Sequence, residues 1–264
     1  MTLRGCFTRQ LAIFTLLLAI SEAQAPSKPS DAELAAITTR GVLLAGYDTA
    51  AWQATDAVLA THPKVGSSNR YIAHKIEAGW VVDFGKLSTT SDKFLVVSEA
   101  VQTGDQYTVK SFDPAREDTG WNLAAAKGIE AAMRDFHGAD RPYNIAVLPA
   151  EGGSLYVYLY PAQVKAGVYP LGADVRYRVL PDGTTIIEKR QMHKSIIESV
   201  AADPKVKVAS GYHTHVLSDV PEDSDVLLVL IRQPRVPEFV VTQHYMYTIG
   251  IDGKIIAEDR SPAK

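Results

Sequence analysis

Cysteine is nearly absent from this chain. The one example, Cys6, lies ahead of an apolar run near the N-terminus rather than after it, which excludes a lipoprotein anchor. If that segment is removed, the remaining chain has no thiol, so a disulfide framework and a thiolate metal site are both excluded. Any metal ligand must then come from His, Asp, Glu or water. There is also no excess of basic residues: 27 Lys and Arg stand against 30 Asp and Glu, and without a cationic footprint nucleic acid is not an expected partner. No apolar run after the N-terminal one approaches membrane-spanning length. The longest, "VLLVLI" at 226–231, is bounded by Asp225 and Arg232 and reads as core. Phosphate loops, dinucleotide fingerprints, the Gly-x-Ser-x-Gly elbow, internal repeats and low-complexity tracts are all missing.

The N-terminus has a clear pattern. Arg4 and Arg9 precede "LAIFTLLLAI", and "SEAQA" follows with small residues, the order of a secretory signal peptide. The expected segment is 1–25, with cleavage after Ala23 or Ala25; the first is preferred because the second leaves Pro26 beside the cut. Losing Arg4, Arg9 and Glu22 moves the formal charge from −3 to −4. The expectation is an exported protein, secreted or periplasmic, with no membrane span once the leader is gone.

Roughly 240 residues then remain, enough for one large domain or two small ones. Residues 31–61 are predicted to be helical, opened by Ser30 and broken near Gly41. "RYIAHKI", "GWVVDFGKL", "KFLVVSEAV" and "QYTVKSF" read as four short strands of an antiparallel meander, and 122–136 as a second helix. Two hairpins follow, "YNIAVLP" with "SLYVYLYPA" and "ADVRYRVL" with "TTIIEKRQM". A short helix is predicted around "HKSIIESVAA", then a strand "KVKVASGYHTH", a helix of about twelve residues by its apolar period, and closing strands. The fold class is α+β, divided as 26–121, a helix and meander unit, and 122–264, a mixed α/β unit.

Chemistry concentrates in "GYHTHVLSDVPEDSD", 211–225. On a strand, alternate side chains share a face about 7 Å apart, so His213 and His215 can converge on one ion at about 2.0–2.1 Å. A third ligand is needed, and the next helix offers Asp219, Glu222, Asp223 and Asp225, the last ten positions after His215 and able to be aimed back at the strand's end. The same acids have a purely local explanation. Asp219 and Glu222 have capping-box spacing, and Asp223 places negative charge in a helix's first turn. The histidines can equally be the polar face of a strand.

Strand, His-x-His, loop, acidic helix start and two strands in that order resemble the JAMM (MPN, or JAB1) zinc metalloprotease family. The resemblance implies zinc held by His213, His215 and Asp225, and hydrolysis of a peptide-type bond in a protein or peptide partner. Glu222 stands where that family has its Ser, leaving Ser224 or Ser218 as oxyanion donors. Glu151 is the upstream Glu by order, so Glu151 and Glu222 are the implied catalytic carboxylates. The alternative is a non-catalytic envelope-associated binding domain that keeps the fold. Among other polar residues, Asp174, Arg176 and Arg178 alternate onto one strand face and suggest an internal ion pair. His193 would join the two later histidines only if its hairpin lies beside their strand. His244 reads as exposed.

Overall fold

The computed structural model describes residues 28–200 and 206–259; the expected leader, 1–25, lies outside them. The first element is α1 (Asp31–Leu59), whose N-cap Ser30 accepts a hydrogen bond from the Glu33 N–H. Contrary to expectation it runs unbroken through Gly41. The reason is tertiary: a methyl group there would collide with Val226 and with the Asp223 carbonyl, so the glycine admits a neighbouring helix rather than ending its own.

The four expected strands follow as β1 (Arg70–Ile76), β2 (Gly79–Leu87), β3 (Phe94–Thr103) and β4 (Gln106–Asp118), an antiparallel meander in sequence order. The second helix, α2 (Trp121–Asp135), leads into β5 (Tyr143–Pro149), β6 (Leu155–Pro161) and β7 (Val168–Leu171), then β8 (Val175–Val179) and β9 (Ile186–Gln191). Both predicted hairpins form, β5 with β6 and β8 with β9, joined into one antiparallel sheet of order β5-β6-β8-β9.

"HKSIIESVAA" is not a helix. Ile197–Val200 forms β10, paired antiparallel with β7 in a two-stranded sheet, because β7 offers an edge to pair with and the β-branched Ile197 suits a strand; residues 201–202 lie outside the described part. The strand carrying the histidines, β11, is shorter than predicted, Gly211–Thr214. Its helix, α3 (Asp223–Ile231), has nine residues rather than twelve. It starts late because Pro221 and Glu222 precede its first turn, and it stops at Arg232, two residues before Pro234. The sheet closes with β12 (Glu238–Val241), β13 (Tyr245–Ile249) and β14 (Ile255–Asp259). Strand β11 runs parallel to β12; the others are antiparallel.

Strand β6 is buried on both faces, which its alternation of Leu or Val with Tyr does not announce. Leu155, Val157 and Leu159 pack under α2 with Ala125, Ala126 and Ile129. Tyr158 and Tyr160 pack towards α1 beside Leu44, Tyr47 and Leu227. The latter cluster draws on residues both before and after 121, and it seats α3 between α1 and the closing sheet.

Candidate metal centre

His213 lies on β11, and His215 just beyond it is held by its own N–H on the Val241 carbonyl at 2.8 Å. Both side chains turn inward and are buried. His193 arrives from the end of β9, its N–H donating to Asp174 Oδ1 at 3.0 Å. Asp225 projects from the first turn of α3 and is completely buried. These four residues offer donor atoms that all lie within 4.8 Å of one another, forming a group able to hold a metal ion.

Five of the six donor pairs are spaced more tightly than that limit. Nε2 of His215 is 2.9 Å from Nε2 of His193 and 3.2 Å from Nε2 of His213. Asp225 places Oδ1 at 3.0 Å from Nε2 of both His193 and His213, and Oδ2 at 3.1 Å from Nε2 of His215. Donors around a tetrahedral ion with bonds of about 2.0–2.1 Å are about 3.3–3.4 Å apart, so these five separations fall a few tenths of an ångström short of that spacing.

The outer nitrogens decide what the inner ones can do. His193 Nδ1 faces Asp174 Oδ1 at 2.8 Å, and His213 Nδ1 faces Glu238 Oε1 at 2.8 Å. His215 Nδ1 faces the Val220 carbonyl at 3.0 Å, with Ser218 Oγ at 3.3 Å. Carboxylates and carbonyls accept hydrogen bonds and do not donate them, so each Nδ1 carries the hydrogen and each neutral ring turns a lone pair inward. Three lone pairs and a carboxylate then converge with no proton between them. The arrangement is stable only with positive charge at its centre, as protons on the rings or as a cation.

The ionisation tendencies agree. Burial works to lower the His193 pKa, but Asp174 and Asp225 outweigh it and hold the imidazole well above its usual range. His213 is likewise pulled down by burial and pushed up, to about 9, by Asp225 and Glu238. Burial would raise the Asp225 pKa, yet His193 and His215 hold it well below the ordinary carboxylate range.

Neighbouring residues aim these groups. Gly211 lets Glu238 pass: a methyl there would meet the Glu238 carboxylate and the Arg232 guanidinium, which are themselves ion-paired. Asp225 Oδ2 also accepts from the Glu222 N–H at 2.7 Å, so the capping box forms between Glu222 and Asp225 rather than between Asp219 and Glu222, and one side chain both caps α3 and faces the imidazoles. Asp223 is gripped by Arg40, Arg176 and the Tyr158 hydroxyl, fixing the start of α3 to α1, β8 and β6.

The two carboxylates implied as catalytic are placed elsewhere. Glu222 is held by both arms of Arg190, at 2.9 and 2.7 Å. Glu151 is exposed in the turn between β5 and β6, where its carbonyl accepts from Ser154 and Arg178. Neither lines the cleft of about 510 Å³ that opens over the three histidines. Ser218 donates to the Val220 carbonyl, and Ser224 turns to the Met192 sulfur. The expected ion pair within the Asp174 row does not form either: Asp174 serves His193, Arg176 pairs with Asp223 and Glu188, and Arg178 reaches Ser154. His244 is half-buried against Asp219 at 2.8 Å. His193 follows its conditional expectation, since the end of β9 does approach β11. Glu238 carried no signal in the sequence; it reaches His213 only through the parallel register of β11 and β12.

Compared with known proteins, the chain matches no family model, no curated protein and no solved structure.

Proposed function

We propose that the chain is an exported metal protein whose His193, His213, His215 and Asp225 would hold a divalent ion of the zinc type in a closed, four-ligand site. The observation that carries this is the inward convergence of three Nε2 lone pairs and one carboxylate, each imidazole oriented by an acceptor behind it. Histidine with such an outer carboxylate or carbonyl is the usual arrangement of a metal-ligating ring. Three nitrogens and an oxygen, all within 4.8 Å of one another, suit zinc, which is indifferent to ligand field and accepts this mixture. An ion bound there would offset the charge of Asp225 and tie together the end of β9, β11 and α3. Export rests on the leader-like residues 1–25.

The resemblance to the JAMM family covers the positions of His213, His215 and Asp225. His193 faces the place where a hydrolytic zinc site keeps an open position for water, and this favours a closed site that stabilises the fold. One observation supports the hydrolytic reading: the cleft over the histidines is large enough for part of a peptide. In that reading His213, His215 and Asp225 alone hold the ion, and His193, backed by Asp174, accepts the proton.

Elemental analysis of the purified mature protein tests both. The closed site predicts one zinc per chain, lost on His193→Ala as on His213→Ala, and a chelator that lowers Tm of the wild type but not of His213→Ala. A His193→Ala variant that keeps its metal while peptide cleavage is lost would favour hydrolysis. Wild-type protein that binds no divalent metal would overturn both.

A further inference from the structure

A second cleft shares no lining residue with the one over the histidines. Its volume is about 730 Å³, within the range of small-ligand sites. Helix α1 supplies Asp48, Trp52 and Asp56 at four-residue spacing, hence from one face. Tyr71, Tyr169 and Asn144 line it too, and the end of α3 closes it with Ile231.

Two features of this cleft call for a ligand. Trp52 is 55 % exposed, a large apolar surface left in a concavity, and it has no aromatic or cationic partner among the described residues. At the floor, Asp48 Oδ1 accepts from the Tyr160 hydroxyl at 2.7 Å and from Asn144 Nδ2 at 3.2 Å. Neither bond uses Oδ2, and among the described residues no Lys or Arg pairs with this carboxylate. Arg235, on the rim, forms no ion pair among them either.

Behind Asp48 the cleft continues into a recess of about 50 Å³, lined also by Asn144, Tyr160 and Asp174. Asp174 Oδ2 is buried without a hydrogen-bond partner. The recess therefore offers two carboxylates and room for a water-sized polar head, with no basic side chain pairing with Asp48 there. Burial accordingly raises the Asp48 pKa against the lowering effect of Tyr160 and Asn144.

We propose that this cleft binds a primary ammonium ligand, its head in the recess hydrogen-bonded to Asp48 and its aliphatic body laid against Trp52 and Tyr169. The donors of an ammonium match the free carboxylate oxygen, and the half-exposed Trp52 ring offers apolar area to an aliphatic body. Saccharides would use the same aromatic wall but would not require a charged floor.

The test uses the full mature chain, with saturation-transfer NMR and tryptophan fluorescence titrations. The probes are n-butylammonium chloride, the neutral isostere 1-butanol, and glucose. The expected result is saturable binding of butylammonium, with 1-butanol weaker by roughly tenfold or more. Asp48→Asn keeps an acceptor for Tyr160 and should cost a similar factor. Trp52→Ala, at a half-exposed position that does not threaten folding, should weaken binding and remove the fluorescence response. Equal binding of 1-butanol, preference for glucose, no binding at all, or butylammonium affinity unchanged in both variants would overturn the proposal. Metal content reads out the histidine site separately, so the two ideas fail independently.

Discussion

Asp225 serves the start of α3 with Oδ2 and the imidazoles with both oxygens, and His193 and His213 answer with raised proton affinity. This has a pH consequence for chelator-stripped protein. His193 and His213 have folded pKa values above the unfolded value of about 6.5, so their stabilising contribution is fully present below that pH. It is lost as pH rises through the folded values, about 9 for His213. Asp225 is shifted the other way; its contribution is present above about 3.8 and lost only as pH falls through its depressed value. Metal binding requires the rings deprotonated and gains over the same rise. Stripped protein should therefore lose Tm between about pH 7 and 9 while the increment on adding zinc grows. A stripped protein whose Tm is flat over that window, followed by circular dichroism with and without zinc, would contradict this account.

At the scale of elements, the centre depends on how α3 meets α1. Gly41 normally costs about 1 kcal/mol relative to alanine inside a helix. Here Gly41→Ala gains that propensity but drives a methyl into Val226 and the Asp223 carbonyl. Overpacking typically costs about 1–3 kcal/mol. The expected outcome is net destabilisation in urea melts together with weaker metal retention, because the displaced first turn of α3 carries Asp225. Stabilisation by Gly41→Ala would show that the contact is loose. Gly211 works in the same way one layer further out, where its missing side chain lets Glu238 reach His213.

At the scale of the whole molecule, no helix among the described residues is long and apolar enough to cross a membrane. The export proposal concerns residues that precede them. Protein recovered from the periplasm or medium should begin at Gln24 or Pro26, and an intact Met1 in that fraction by mass spectrometry would refute it.

Local pattern by itself determined the helix opened by Ser30, the four-strand meander, both hairpins and the pairing of His213 with His215. Each depends on short-range periodicity or on two residues of one strand, and such information is contained within a few neighbours. The continuity of α1 through Gly41, the strand at Ile197–Val200 and the double burial of β6 were decided only by the tertiary structure, since each depends on an element distant in the chain. The same holds for His193, Asp174 and Glu238. A histidine 20 positions before His213, an aspartate just ahead of β8 and a glutamate after α3 have no common period. They meet because β9 ends beside β11 and because β12 lies parallel to it, and the convergence of lone pairs that demands positive charge at its centre exists only once those strands are packed.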